Sequence, residues 1–461
     1  MKRRRSLLLL AAALLGGCVG PRPPVPAEAS VTPPLAWRVE AGPSAPIERE
    51  WWQQYADPML AALVDRALRN NDDVGIAVAR VNEARALEGL ARAQLLPTLD
   101  FALPAARARS LNAVGRELTI NTAAPQLQAA YEVDLFGRLG DQAEATRENM
   151  LARQAAHDTV VLAVAAATAR SYITLRALDA QLEVVRQTLV SRAEALRLAD
   201  TRARAGYTSQ LELEQARAEY ESTAQAVPQA ELAIARQENA LSQLVGDSPP
   251  VAIERGVPLS ELHEPPVPEG LPADLLRRRP DIAQAEFDLA ATDASLSAAR
   301  KAYLPQLHLS ASGGLLYATR AVNPVTIWSL GGSVLAPIFE GGRIQANADA
   351  AAARRDQAAF AYRRVVLTAF REVNDNLAAL QKLDEQVQRL QLQRNALAAT
   401  LRHATNRYRA GYSPYLEQLD AQRGLLNAEL SLVQARADRL NASVALYQAM
   451  GGGWRADATL R

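Results

Sequence analysis

The sequence predicts a mainly α-helical protomer that is internally duplicated and carries two β-hairpins. The turn sequence Arg204–Ser209 returns as Arg409–Pro414, 205 positions later. Ala, Leu, Gln, Glu and Arg dominate long stretches, a composition typical of long helices and coiled coils. Two segments predicted to form strands interrupt the helices, one in each half. Solenoid units span only about 20–50 residues, so a repeat of this length indicates a duplicated half-protein.

The N-terminus has the pattern of a bacterial lipoprotein signal. Residues 1–17 combine the basic start Lys2–Arg5 with a short apolar run, and they end in Leu-Gly-Gly before Cys18. A run this short predicts a signal peptide and not a membrane-spanning helix. The ending resembles a lipoprotein signal, in which Cys18 becomes the lipidated first residue. The next residue is Val19 and not Asp, which resembles lipoproteins that are sorted to the outer membrane. The alternative is an ordinary cysteine near a signal cleavage site.

The first half follows a Pro-rich segment. Residues 18–50 contain eight prolines, which stiffen the chain and prevent helix, so we expect an extended tether between anchor and body. The first repeat, residues 51–247, is predicted to contain short helices at 58–69 and 72–95, a β-hairpin at 98–133 and long helices at 138–203 and 209–245. A helix of 65 residues is roughly 100 Å long. Pro228 predicts a kink.

The second half repeats this order after a Pro-rich linker. The linker is residues 248–270, the second repeat is 271–454, and a tail follows at 455–461. Within the second repeat we predict a helix from Pro280 to Leu304, a β-hairpin at 306–338 and long helices at 343–409 and 415–450.

Two periodicities support these assignments. Tyr172, Leu175, Leu178 and Leu182 begin a run with apolar spacings near 3.5, which predicts coiled-coil packing. In residues 306–312, apolar and polar side chains alternate, which predicts a strand with one apolar and one polar face.

The predicted strands pose a problem if they lie in a membrane. No later run of about 18 apolar residues is free of charge, so no membrane-spanning helix is expected. Each half supplies two strands, and the resulting four cannot close a barrel, for which about eight is the minimum. Open edges in lipid would leave backbone groups without hydrogen bonds. Several protomers must therefore share one barrel.

Several motifs together resemble the outer-membrane factor family, the TolC-like and OprM-like exit ducts of tripartite efflux pumps and type I secretion systems. They are Arg-Tyr-Arg-Ala-Gly-Tyr at 407–412, Leu-Glu-Gln-Leu-Asp-Ala-Gln-Arg at 416–423, Arg-Arg-Pro-Asp at 278–281 and Tyr-Leu-Pro at 303–305. The resemblance extends over nearly all of Trp51–Trp454. With Cys18, it is closest to the NodT-type lipoprotein branch, which usually serves drug and metal efflux.

This resemblance implies a homotrimer that forms an α/β-barrel channel-tunnel, with one β-barrel shared by the copies and a periplasmic α-barrel. It implies a location in the outer membrane, with a lipid anchor and an extension into the periplasm. It also implies two partners: a periplasmic adaptor (a membrane fusion protein) and an inner-membrane pump of the proton-driven RND type. No catalytic residue and no cofactor besides the covalent lipid on Cys18 are implied.

The resemblance assigns a periplasmic gate to three residues of the last helix. Leu416 would be the apolar constriction, Asp420 an acidic ring and Arg423 its pairing partner. Their spacings of 4 and 3 place them on one helix face. Three carboxylates around an axis repel one another unless they are paired or bind cations. The alternative is an ordinary solvated ion pair between residues i and i+3.

The two repeated turns are candidate docking sites for the adaptor. Gly206 and Gly411 are expected to adopt positive φ after a helix end. In the family reading the turns also bind the adaptor; in the alternative reading they are helix caps only. The candidate docking residues are Arg204, Gly206, Tyr207, Arg409, Gly411 and Tyr412.

The remaining features favour a transport role. Tyr317 and Trp328 border the second hairpin as interfacial anchors or, alternatively, as sheet-core residues. A net charge of +1 indicates no nucleic-acid binding, and the four scattered histidines have no metal-ligand spacing. No phosphate loop or catalytic motif is recognisable, so the chain is not expected to be an enzyme. We predict a passive export duct; the alternative is a lipid-anchored periplasmic scaffold or adaptor without a pore.

Overall fold

A computed structural model describes residues 21–39, 44–111, 113–247, 251–319 and 321–455. The predicted signal peptide and the predicted lipidation at Cys18 lie outside the described residues. The same holds for the end of the predicted tail.

The described residues contain eight helices of three turns or more. They are α1 (Pro58–Asn70), α2 (Asp72–Ala93), α3 (Arg138–Arg204), α4 (Gln210–Ala224), α5 (Ala226–Leu244), α6 (Pro280–Lys301), α7 (Arg343–Arg409) and α8 (Tyr415–Ala449). The two longest, α3 and α7, have 67 residues each and end within one residue of the predicted positions. A single-turn helix, Leu275–Arg278, precedes α6.

The predicted helix 209–245 is divided at Gln225 into α4 and α5. Pro228 lies in the first turn of α5. Because proline has no N–H and its ring clashes with the carbonyl four residues earlier, at Ala224, the regular helix cannot continue through this point. Gln225 keeps φ −67° and ψ −25°, so the interruption is a kink, as predicted, and not a turn.

The two predicted hairpins form one antiparallel sheet. Its strands are β1 (Thr98–Ala102), β2 (Ala105–Leu111), β3 (Glu117–Ala123), β4 (Gln126–Val133), β5 (Gln306–Ala318) and β6 (Val325–Leu335). Pro104 separates β1 from β2, and Pro125 separates β3 from β4, because proline donates no hydrogen bond to a ladder. Each predicted strand of the first hairpin is therefore present in two pieces.

Pairing across the two repeats holds the sheet together. β4 pairs with β5 from Gln126↔Gly314 to Val133↔Leu307, and β5 pairs with β6 on its other side. β1 and β2 occupy one edge and β6 occupies the other. Within the described part of the protomer, both edges of this sheet have a hydrogen-bonded neighbour on one side only.

The chain forms two compact units, and neither coincides with a predicted repeat. Unit 1 comprises the described parts of residues 1–31, 79–154 and 284–364, and unit 2 comprises the rest. Each unit takes segments from both halves of the sequence. The physical reason is visible in unit 1, where hairpins from both halves share one sheet.

The core of unit 2 is built around the 3₁₀ helix Trp51–Tyr55 and the middle of α3. The Trp51 ring stacks on Tyr447 with centroids 5.5 Å apart. α3 contains an 18-residue window that is apolar enough to cross a membrane by length and composition. The sequence-based prediction did not identify it, because it required a run without charged residues. More than half of that window is buried, and Ala169 and Ile173 belong to the core, so packing explains its apolar character.

The Pro-rich segment packs on the helices along its described length. In unit 1, the buried Arg355 of α7 donates to the carbonyls of Pro23 at 2.6 Å and Pro24 at 2.9 Å. In unit 2, the indole of Trp37 donates to the Gly270 carbonyl at 2.8 Å. The tether expected from the sequence is therefore a docked strap, defined here as residues 21–39.

Replacing Arg355 should release the first part of the strap. Each hydrogen bond from a charged donor contributes about 1.5–3 kcal/mol, so Arg355→Ala should speed protease cleavage near Ala27–Ala29 roughly tenfold or more. The matched control is Arg354→Ala, which removes an exposed guanidinium one residue away. Equal cleavage rates in the two variants would show that Arg355 does not hold the strap.

Candidate functional site

The turns α3–α4 and α7–α8 have the same geometry. Gly206 has φ 73° and Gly411 has φ 79°, the left-handed conformation predicted for both. In each turn, the amide of the tyrosine after the glycine donates to the carbonyl five residues earlier at 2.9 Å. This hydrogen bond closes the helix end in the way that favours glycine at this position.

The tyrosines of the two turns are exposed. Tyr207 is 85% exposed and Tyr412 is 80% exposed. Arg204 forms an exposed ion pair with Asp200 at 3.0 Å, and Arg409 is exposed. Capping requires only the glycines and the backbone, so these side chains are available for contact with another molecule.

Arg202 joins the two turns. Its guanidinium donates to the carbonyls of Tyr408 at 3.1 Å and Arg409 at 2.9 Å. It also lies over the Tyr408 ring, 4.7 Å from the centroid. At the start of α8, the amide of Tyr415 donates to the carboxylate of Glu212 on α4 at 2.8 Å. Side chains of α3 and α4 therefore hold the backbone on both sides of the second turn.

The three predicted gate residues lie on one exposed face of α8. Leu416 is 51% exposed, although it is apolar, and Asp420 and Arg423 are exposed as well. Tyr415 and Leu419, which flank this face on one side, are buried. The helix thus presents an apolar, an acidic and a basic side chain within two turns.

Within the protomer, Arg423 pairs with Glu219; its pairing with Asp420 in a ring of several copies stays a prediction. The Arg423 Nε donates to the Glu219 carboxylate at 3.0 Å. Glu219 lies on α4 and is buried, so it has little water to compete with the guanidinium. The hydrogen bond from Arg423 to Glu219 is the main cause of a raised Arg423 pKa, and the nearby Asp420 charge adds to it.

Glu219 lies between two guanidinium groups. Its second carboxylate oxygen is 2.8 Å from Nη1 of the buried Arg192 on α3. Burial lowers the Arg192 pKa, and the Glu219 charge opposes this effect. Beside them, burial and the Glu219 charge raise the pKa of Tyr415 to about 12, so its hydroxyl stays protonated at physiological pH.

Sequence reasoning missed Arg192 and Glu219, although the pattern contains a signal for the first. The apolar run that includes Val185 and Leu189 continues at a spacing of 3 to Arg192. A charged residue at a coiled-coil core position needs a buried partner. Identifying Glu219 as that partner requires the packing of α4 against α3.

The part of the unit 1 sheet that β1, β4, β5 and β6 form has one largely apolar face. Cross-strand partners share a face, and in this way Leu127, Gly313 and Trp328 form one row. Nine large apolar residues of this face are 39–79% exposed in the protomer: Leu99, Phe101, Leu127, Leu309, Leu315, Tyr317, Trp328, Leu330 and Val334. Tyr317 and Trp328 therefore lie on an uncovered surface and not in a packed sheet core.

The opposite face of these strands is polar along its middle rows, with Leu316, Val325 and Ile327 at one end of it. Asp100, Gln128, Ser312 and Ser329 form one row across β1, β4, β5 and β6. The hydroxyls of Ser312 and Ser329 are 2.9 Å apart. Polar residues on one face and apolar residues on the other are the arrangement of a strand wall between lipid and water.

The histidines remain dispersed. His157 lies 3.0 Å from Asp158 in α3, and His308 lies in β5. Across the described ranges, no three His, Cys, Asp or Glu side chains are placed to hold a metal ion.

Comparison with known proteins gives a consistent result over nearly the whole chain. The profile of the family described as outer membrane efflux protein matches residues 63–247 and 271–452. The pyoverdine export outer membrane protein OpmQ of Pseudomonas aeruginosa is 35% identical over 466 residues, covering 98% of each chain. The probable outer membrane lipoprotein SilC of Salmonella typhimurium is 30% identical, covering 96% of this chain and 97% of SilC.

A solved structure has the same fold. The outer membrane channel CmeC of Campylobacter jejuni superimposes with a TM-score of 0.85 at 26% identity, covering 95% of each chain. The fold of this chain is thus shared with an outer-membrane channel.

Proposed function

The chain belongs to the outer membrane efflux protein family, and we propose that it is the outer-membrane exit duct of a tripartite efflux system. The sheet of unit 1 carries this proposal. Its apolar face suits lipid and its polar face suits a water-filled lumen. The named relatives that export pyoverdine and form outer membrane channels support the same role.

We propose that three copies complete the barrel. The protomer supplies four spans of sheet, namely β1 with β2, β3 with β4, β5 and β6, fewer than the roughly eight needed for closure. Pairing the β1–β2 edge of one copy with the β6 edge of the next would satisfy the backbone groups that lipid leaves without partners. A ring of three copies closes the sheet and places the polar row that contains Ser312 in the lumen.

We propose that Cys18 carries the lipid anchor. The Leu-Gly-Gly-Cys sequence supports this, and so does the name of the lipoprotein relative SilC. Arg300 donates to the carbonyl of Pro21, which is three residues after Cys18, so the acyl chains would enter the membrane next to unit 1.

We propose that Leu416, Asp420 and Arg423 form the gate of the duct. Their exposure on one face of α8 suits three copies that meet around an axis. The leucines would exclude water at the narrowest point, and the carboxylates of Asp420 would form an acidic ring. The bond from Arg423 to Glu219 ties this face of α8 to α4 and so favours the closed arrangement.

The duct itself would be passive. We propose that an inner-membrane pump of the proton-driven RND type supplies the energy and that a periplasmic adaptor connects pump and duct. The exposed turns that contain Tyr207 and Tyr412 are the proposed adaptor contacts, because they present large side chains that folding does not use.

Charge reversal at the turns tests the adaptor contact. Arg204→Glu with Arg409→Glu should reduce adaptor crosslinking and efflux several-fold while trimer formation is unchanged, since both side chains are exposed. The control is Arg217→Glu, an exposed arginine on α4. Unchanged crosslinking and efflux in the double variant would exclude these arginines from docking.

Two measurements test the duct, one on isolated outer membranes and one on the purified protein. We expect heat-modifiable trimers in outer-membrane fractions and ion channels in planar lipid bilayers. A lipid-anchored scaffold without a pore would be found in the membrane fraction but would conduct no current, and that result would refute the proposal.

A further inference from the structure

β2 and β3 extend past the rest of the sheet as a two-stranded ribbon. They pair with each other as far as Leu111↔Glu117. The pairing of β3 with β5 ends at Thr122. Among the described residues, no third strand pairs with residues 107–111 and 117–121, which we call the ribbon. At the usual rise of a strand, the ribbon is roughly 17 Å long.

The ribbon continues the rest of the sheet in register. The last pair of β1 with β4 is Ala102↔Gln126, and the first pair of β2 with β3 is Ala105↔Ala123. Each strand advances by the same number of residues between these pairs, so no bulge intervenes and side chains keep alternating between the two faces. Ile120 of the ribbon therefore lies on the face that carries the polar row of β1, β4, β5 and β6.

This face changes from polar to largely apolar towards the ribbon. On the ribbon it carries Ala108, Ser110, Leu118 and Ile120, and before the ribbon it carries Leu316, Val325 and Ile327. The other face changes in the opposite direction: on the ribbon it carries Arg107, Arg109, Leu111, Glu117, Thr119 and Asn121. On the ribbon part of β3, the two apolar side chains are half-buried and the three polar ones are exposed. The polarity of the ribbon is thus reversed relative to that of the sheet.

The reversal occurs where the lipid-facing band would end. The apolar face of β5 extends from Leu307 to Tyr317, which is about 33 Å along a strand. With strands tilted by about 40°, this band is about 25 Å high, the height of the apolar band of outer-membrane barrels. The strand ends that lead into α3 and α7 are at the other end of the sheet. The ribbon therefore lies beyond the lipid, at the outer end of the proposed duct.

We propose that the ribbons of three copies meet through their apolar faces and form a collar at the outer end of the duct. This inference rests on the proposed barrel of three copies. In that barrel the inner face is enclosed by protein, so lipid cannot cover it, and the equivalent ribbons of the other two copies lie opposite. Contact between the ribbons removes Leu118 and Ile120 of each copy from water, which lowers the free energy.

Two features allow the ribbon to lean towards the channel axis. Among the described residues, no third strand holds it in the wall, and two-stranded ribbons twist more strongly than larger sheets. At its base, Pro104 and Pro125 supply no N–H group to the ladder, so fewer hydrogen bonds fix its angle to the sheet. Water leaves an apolar constriction readily, so the collar is a second barrier in series with the proposed gate.

Introduced cysteines test the contact between copies. Ile120→Cys places a thiol on the apolar face, and Thr119→Cys places one on the other face of the same strand. Cys18 is the one native cysteine, so the unaltered protein gives the background. In isolated outer membranes, a short bismaleimide should link most Ile120→Cys trimers into covalent dimers and should link Thr119→Cys no more than the background. Absence of dimers with Ile120→Cys, or equal amounts with both variants, would refute the collar.

The same two variants test the barrier. In planar bilayers, a bulky maleimide on Ile120→Cys should reduce the single-channel current roughly twofold or more, because the adduct lies in a narrow opening. On Thr119→Cys it should leave the current unchanged, because the adduct points away from the axis. The increase in mass of each chain confirms the reaction. An unchanged current after reaction of Ile120→Cys would show that the opening is wide and would overturn the proposal.

Channel formation separates failure of the collar from failure of the duct. If the variants form trimers that conduct but Ile120→Cys gives no linked dimers, the collar is refuted and the duct stands. If the unaltered protein forms neither trimers nor channels, the duct is refuted and the collar with it. Should Ile120→Cys prevent trimer formation, Ala108→Cys, at its cross-strand partner on the same face, is measured in the same way. Linked dimers then support the collar, and their absence refutes it.

Discussion

Trimers that carry both Leu416→Ala and Asp420→Ala should conduct several-fold more current per channel than the unaltered protein. Three leucines around an axis form a constriction that water leaves readily, and alanine widens it. Removing three carboxylates also removes the charges to which cations bind in the aperture. Both side chains are exposed, so folding should change by no more than about 0.5 kcal/mol.

The first repeat provides the control for this measurement. Leu211 and Gln215 occupy the positions equivalent to Leu416 and Asp420, and Leu211 is exposed. Leu211→Ala with Gln215→Ala should leave the single-channel conductance unchanged, because these residues are not assigned to the aperture. Equal conductance in the two double variants would place the constriction elsewhere.

Leu330→Lys should prevent the protein from accumulating as folded trimers in the outer membrane. Leu330 is at the centre of β6 on the apolar face. A lysine on the lipid face near the bilayer midplane costs about 2–4 kcal/mol, so three copies cost roughly 6–12 kcal/mol per trimer. The amount of heat-modifiable trimer in isolated outer membranes measures the effect.

Ser329→Lys is the matched control, since Ser329 is the adjacent residue on the polar face. A lysine in a water-filled lumen remains hydrated, so trimer levels should be close to those of the unaltered protein. The opposite result, in which Ser329→Lys forms no trimers in the outer membrane and Leu330→Lys forms them normally, would mean that the polar face is turned to the lipid.

Local features of the fold followed from the sequence with small errors. The ends of α3 and α7 agree with prediction because prolines and glycines act through the backbone at their own positions. The positive φ values of Gly206 and Gly411 follow from the same principle. The division of the first hairpin at Pro104 and Pro125 was not predicted, although the missing N–H groups would have indicated it.

Contacts between residues far apart in the chain account for most differences between the sequence-based predictions and the structure. The resemblance made Arg423 the partner of Asp420 in an assembled ring, whereas within the protomer Arg423 pairs with Glu219, which is 204 residues away along the chain. The strap was expected to be an extended spacer, because nothing in a Pro-rich sequence identifies Arg355 as its binding partner.

The sequence by itself determined the duplication, the helices and strands, the two-faced character of the sheet and the membership of an efflux channel family. These properties depend on periodicity and on motifs that can be recognised within short stretches of chain. Only the tertiary structure decided that β4 of the first repeat pairs with β5 of the second and that Glu219 lies between Arg192 and Arg423. The same is true of the end of the pairing between β3 and β5 at Thr122, beyond which the ribbon has no third strand among the described residues. Such properties depend on which residues packing brings within a few ångströms of each other and on how much water it leaves around them.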